Sequence, residues 1–184
     1  MPLHRRAAAL VSSGVFRFSV ARFLAALVLL FVSAPFVDQL KGGTVETGLV
    51  TLVLCMGVLA VGGQRKTLLW AIALLLPTVL GGWAHHFWPE RWLEVAFLAA
   101  RLVFLAFLVN CLLGFILRAP RVNSEVLCAG ISIYLLLGML WAYAYIVVGL
   151  VSPDAFAFSV PPGASHSMAR FSAFYFSFIT LTTV

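Results

Sequence analysis

The hydroxyl side chains best suited to binding chemistry lie together at the C-terminal end of the sequence. Residues 174–184 read FYFSFITLTTV, in which an aromatic stretch is followed by alternating hydroxyl and bulky apolar residues. A hydroxyl both donates and accepts hydrogen bonds, so Thr182 and Thr183 can serve either a ligand or their own helix. Taken alone, such a run is typical of ordinary helix packing. The function of this stretch depends on where the rest of the chain places it.

The other side chains with metal-binding chemistry are scattered. His85 and His86 are a candidate ligand pair, but no third ligand lies at a useful spacing, which favours polar anchoring at a membrane surface. The cysteines lie in apolar runs without CxxC spacing and are expected to be buried free thiols: Cys55, Cys111 and Cys128. The sequence therefore predicts no resident metal, no disulfide and no cofactor.

The composition indicates a membrane protein. Hydrophobic residues make up 63% of the chain and charged residues 10%, whereas soluble domains are about half apolar and a quarter charged. Mean hydropathy is +1.09. The formal charge of +6 comes from Lys and Arg residues that stand singly or in pairs between apolar runs. Because they form no solvated basic face, nucleic acid is excluded as a partner.

Five apolar runs predict five transmembrane helices, and the fold class is an all-α membrane protein. The runs cover residues 23–37, 47–64, 67–89, 92–117 and 126–150. The first run has only fifteen residues, so its helix must continue into its flanks or Arg22 must snorkel. A signal peptide resembles the first run, but the four later runs argue for its retention. Pro77 in the third run predicts a bend without a break.

Three regions follow from these runs. Residues 1–22 form a basic N-terminal segment, residues 23–125 a four-helix transmembrane region, and residues 126–184 a final span, a loop and a C-terminal helix. The final span carries small residues suited to helix contacts at Gly130, Ser132, Gly138, Ala142 and Ala144. Its larger aromatics supply bulk and interface anchoring, namely Tyr134, Trp141, Tyr143 and Tyr145.

Lysine and arginine residues set the orientation, because they accumulate in cytoplasmic loops. With the N-terminus inside, three basic residues fall outside the cell and eight fall inside. The outer residues are Lys41, Arg91 and Arg170; the inner residues are Arg5, Arg6, Arg17, Arg22, Arg65, Lys66, Arg118 and Arg121. We therefore expect a multi-pass protein of the plasma or bacterial inner membrane with a cytoplasmic N-terminus, and residues from 152 onward outside.

The C-terminal apolar segment is too short to cross the bilayer. Residues 170–181 are twelve residues, or about 18 Å of helix, against a hydrocarbon core of about 30 Å. Such a segment can only dip into the membrane from outside. Non-helical backbone at that depth requires burial in protein or a water-filled space.

This arrangement resembles the pore helix and filter entrance of potassium channels, within the superfamily of tetrameric cation channels. In that family an aromatic pair on the pore helix precedes Thr-Thr-Val-Gly-Tyr-Gly-Asp, and the match here runs through Val184. The resemblance covers residues 126–184. It implies a six-span homotetramer whose chain continues with Gly-Tyr-Gly and a final inner pore helix, both beyond Val184.

The resemblance also implies a role for each matching residue. Filter carbonyls and the hydroxyl of the first filter threonine replace the hydration shell of potassium, which puts transient potassium at Thr183 and Val184. The implied filter residues are Thr182, Thr183 and Val184. The implied pore-helix support comprises Tyr175, Phe176, Ser177 and Thr180. Where many members carry two tryptophans, this chain has Tyr175 and Phe176.

Arg101 is the single arginine within the fourth run, whereas voltage sensors carry several at every third position. We expect Arg101 to face the bundle and pair with an acid, either Glu94 or Asp38. A membrane-embedded enzyme is disfavoured, because the spans offer only Glu94, Arg101 and Asn110.

Two alternatives to a potassium-selective channel remain. A secondary transporter would show broken helices at matching places in inverted repeats, and the Pro77, Gly81 and Gly82 interruption has no counterpart in the fifth run. A poorly selective cation channel would share the sequence up to Val184.

Overall fold

The computed structural model describes residues 20–33, 43–61, 65–84, 91–152, 155 and 170–183. These residues form six α-helices and no strand, which confirms the predicted all-α class. In chain order the helices are α1 Val20–Ser33, α2 Gly43–Val61, α3 Arg65–Ala84, α4 Arg91–Arg118, α5 Ser124–Val151 and α6 Arg170–Thr182.

Charged residues or prolines lie at several of the helix ends. Helix α1 is described from Val20 to Ser33, so it includes Arg22 and extends into the N-terminal flank of the first apolar run. Helix α3 continues through Pro77, as predicted. Helix α5 ends at Val151, where the Ser152 amide donates to the Val148 carbonyl and Pro153 follows. Proline disfavours helical backbone in the residue before it, which accounts for the end of α5 at Val151.

Helix α4 is the centre of the packing. It contacts α2, α3 and α5, while α6 packs against α5. Phe104, Leu105 and Leu108 of α4 are fully buried, and Leu108 reaches the α1–α2 contact at Gly57. A Cβ at Gly57 would lie 2.7 Å from Leu108 Cδ1 and 3.2 Å from Phe23 Cε2. The absence of a side chain there lets three helices meet.

Two helices, α4 and α5, are long and apolar enough to cross a membrane. Shorter apolar stretches of 10–17 residues lie in α1, α2, α3 and α6. Only 22% of the most apolar part of α4 and 33% of that of α5 is buried. Large apolar side chains such as Trp92 (86% exposed) and Leu117 (76% exposed) therefore face outward. Exposed apolar side chains on helices of this length are consistent with contact with lipid or with another protein.

Candidate functional site

Helix α6 packs against α5 and contacts α1 through Phe31. Ala173 and Ser177 of α6 are fully buried. Phe174 and Phe178, one turn apart on the same face, pack against aromatic rings of both neighbouring helices. The helix has 13 residues, or about 20 Å at 1.5 Å per residue.

Ser177 joins α6 to α5 through a buried hydrogen bond. Its Oγ donates to the carbonyl oxygen of Gly138 at 2.7 Å. The Phe178 ring packs directly over Gly138 and fills the space that a Cβ would need. The Gly138 carbonyl therefore accepts the hydrogen bond from the Ser177 hydroxyl, and the lack of a side chain at Gly138 leaves room for the Phe178 ring. The prediction that Gly138 serves a helix contact agrees with this geometry.

Thr180 faces α5 one turn further along α6. Its Oγ1 donates to the Ser177 carbonyl at 2.8 Å and lies 3.4 Å from Tyr145 Oη. The Tyr145 ring packs edge-on against Phe176, with centroids 5.1 Å apart. Trp141 lies beside Tyr145 at 6.1 Å. Only a general anchoring role was predicted for Tyr145, and its contact with α6 is a further property of the site.

The aromatic pair on α6 is split between two environments. Phe176 packs on Tyr145, whereas Tyr175 is 64% exposed. Ile179 and Thr182 are also exposed. One face of α6 is thus fixed to the chain's own helices and the opposite face is open.

The threonines at the end of α6 bond back to their own helix. Thr182 Oγ1 donates to the Phe178 and Ile179 carbonyls at 2.9 and 3.1 Å, and Thr183 Oγ1 donates to the Ile179 carbonyl at 2.8 Å. The Thr183 amide also bonds Ile179, at 3.0 Å. Both hydroxyls are at the exposed end of α6, where the negative end of the helix dipole lies. Val184 lies outside the described residues.

Arg101 has a different partner from the one predicted. Its Nη1 donates to Tyr143 Oη at 3.4 Å, and the guanidinium carbon lies 5.1 Å from the centroid of the Tyr143 ring. Among the side chains that the structure describes, no carboxylate pairs with Arg101, so the prediction of Glu94 is wrong; Asp38 lies outside them. Glu94 shares the helix of Arg101, but a buried aromatic on α5 offers the guanidinium both a ring face and an oxygen.

Tyr143 also corrects the interpretation of the α5 aromatics as interface anchors. Its side chain is 1% exposed and packs between Arg101 and Phe174, whose ring centroid lies 6.0 Å away. Arg101 Nη2 lies 3.2 Å from the point where a Cβ at Gly82 would be, so α3 also lies against the guanidinium. The Arg101 Nε is buried, and none of the residues that the structure describes forms a hydrogen bond with it.

The described part of the chain contains no group of three potential metal ligands. His85 and His86 lie outside it. All three cysteines are free, as predicted, but Cys55 is exposed and the other two are half-buried, so the expectation of burial is wrong for Cys55.

Comparison of the chain with protein-family models, with curated proteins and with solved structures found no match.

Proposed function

We propose that this chain is a subunit of a tetrameric, potassium-selective cation channel, with α6 as the pore helix. The observation that carries the proposal is how α6 packs against the other helices. A helix too short to span the bilayer is fixed along one face by Ser177, Phe174 and Phe178, and its end presents Thr182 and Thr183. In the proposed channel, a helix held in this way supports the filter residues that follow it beside the ion path.

In this proposal the ion path begins at Thr183. Four Thr183 hydroxyls and four sets of backbone carbonyls, including that of Val184, replace the hydration shell of the ion. For this, the Thr183 hydroxyl exchanges its bond with the Ile179 carbonyl for the ion. The dipole of α6 favours a cation at this end.

The proposed topology has five spans and a re-entrant helix, with the N-terminus in the cytoplasm. The lengths of α4 and α5 and the eight-to-three distribution of basic residues support it. The outward-facing apolar side chains on α4 and α5 are consistent with lipid and with neighbouring subunits as surroundings.

The proposed assembly is a homotetramer around the open face of α6. Tyr175, Ile179 and Thr182 on that face are exposed in the described part of the chain. In the proposed channel, neighbouring subunits cover them. No cofactor takes part, and the reaction is passive ion transfer without an enzymatic step.

The test is ion flux through the full-length gene product in liposomes with opposing potassium and sodium gradients. A channel of the proposed kind passes potassium in clear excess over sodium at rates that rise with the gradient. Equal fluxes would instead identify a poorly selective cation channel. Flux that saturates and depends on a co-transported ion would identify a secondary transporter. No flux from a verified tetramer would contradict the channel altogether.

A further inference from the structure

We propose that α1 positions the pore helix through Phe31, so that the first helix belongs to the pore unit. This inference rests on the proposed function of α6. The Phe31 ring meets Phe174 edge-on with centroids 5.7 Å apart and an interplanar angle of 86°. It meets Phe178 at 5.2 Å and 81°. One side chain of α1 therefore contacts both aromatic rings on the packed face of α6.

The two rings that Phe31 contacts are the same rings that hold α6 on α5. Phe174 packs against Tyr143 at 6.0 Å, and Phe178 packs over Gly138 and beside Tyr134 at 5.9 Å. Contact with one helix leaves a short helix free to rock about that contact. A third helix against the same rings removes this freedom, because both rings are now held from two sides.

Helix α1 is itself fixed in the core, so it can bear such a contact. Phe23 and Leu27 are fully buried, and Phe23 closes on Gly57 of α2. Phe31 lies eight residues beyond Phe23 on the same helix, about 12 Å along its axis. A rigid helix anchored at one end and touching α6 at the other transmits the position of the core to the filter entrance.

The functional consequence is control of filter geometry. Sites of this kind must be held within about 0.5 Å of the productive arrangement. Removing the Phe31 ring leaves the Ser177–Gly138 hydrogen bond in place but opens a void beside Phe174 and Phe178. We expect the pore to assemble and conduct, with altered discrimination between ions.

The contact is tested first, without reference to conduction. In the full-length protein with its native cysteines replaced by serine, Phe31→Cys with Phe174→Cys should join under a short bifunctional thiol reagent in native membranes. The matched control is Val32→Cys with Phe174→Cys, because Val32 is 60% exposed. Equal cross-linking of both pairs, or of neither, would overturn the proposal, whether or not the protein conducts.

The positioning role is tested by ion discrimination. Phe31→Ala should shift barium block and the rubidium-to-potassium permeability ratio several-fold in assembled tetramers. Phe31→Leu, which retains most of the volume, should restore most of the wild-type values, and Val32→Ala should leave them unchanged. Unchanged block and permeability in Phe31→Ala would overturn the positioning role. If the wild-type protein passes no ions but the Phe31–Phe174 pair cross-links selectively, the channel is rejected and the α1–α6 contact is retained. Phe31 would then have no filter to position.

Discussion

Ser177 Oγ donates a 2.7 Å hydrogen bond to the carbonyl oxygen of Gly138, and the two residues lie 39 positions apart on adjacent helices. A carbonyl oxygen has two lone pairs, so Gly138 can accept this bond beside the one within α5. Ser177 is buried, and no water reaches it to replace the partner. The bond therefore fixes how far α6 lies along α5.

Substituting Gly138 should damage this contact through packing. Gly138→Ala places a methyl group inside the Phe178 ring, which must move. Overpacking of this kind costs about 1–3 kcal/mol. Thermal unfolding of the full-length protein in detergent measures the loss. Gly130→Ala is the matched control, because a Cβ there has nothing within 4 Å; equal losses in both variants would show that the close approach at Gly138 has no energetic role.

Substituting Ser177 should give a smaller loss of stability. Ser177→Ala removes the hydroxyl but leaves the Gly138 carbonyl within its own helix, so we expect about 0.5–1.5 kcal/mol. The exposed Ser172→Ala provides the baseline in the same melting experiment. A Ser177→Ala protein as stable as the Ser172→Ala protein would be incompatible with a hydrogen bond that fixes α6.

Much of this architecture could be predicted from the sequence. Arg91, Arg118 and Pro153 bound the long apolar helices, so the extents of α4 and α5 followed closely from the charge pattern. The short C-terminal helix also stood out, since its hydroxyls and length differ from those of a span. Small residues along α5 indicated helix contacts, and Gly138 is one of them.

The partners across helices could not be predicted in the same way. Arg101 bonds a tyrosine 42 positions away, where reasoning along α4 suggested Glu94. Phe31 was one of many apolar residues in its run, and its contact with α6 depends on how α1 packs in three dimensions. Periodicity shows which residues share a helix face, but not which helix that face meets.

Tyr143 should stabilise the bundle through both its ring and its hydroxyl. Tyr143→Phe keeps the ring beneath the guanidinium and loses the bond to Arg101 Nη1, so we expect a cost of about 1 kcal/mol. Tyr143→Ala also empties a buried site and should cost about 3–5 kcal/mol. The melting temperature should fall less in Tyr143→Phe than in Tyr143→Ala. The exposed Tyr134→Phe serves as the control, and a loss in it equal to that in Tyr143→Phe would argue against the Arg101 contact.

The five-span topology predicts which positions face the outside of the cell. In the cysteine-free background, single cysteines at Lys66 and Ala119 should be shielded from an impermeant thiol reagent added outside. Single cysteines at His85 and Gly163 should react. Permeabilised cells provide the control for reactivity at every position, and the reverse labelling pattern would refute the orientation.

The most direct test of the central claim compares Thr183→Ala with Thr180→Ala by electrophysiology on full-length tetramers normalised for surface expression. Thr183→Ala removes four oxygens from one ion site, so we expect continued conduction with altered potassium affinity and altered block by barium. Thr180 bonds the Ser177 carbonyl and faces Tyr145, so its alanine variant should lose about 0.5–1.5 kcal/mol of stability and keep wild-type block. Unchanged potassium affinity and block in Thr183→Ala, together with shifted values in Thr180→Ala, would contradict the claim that Thr183 lines the ion path.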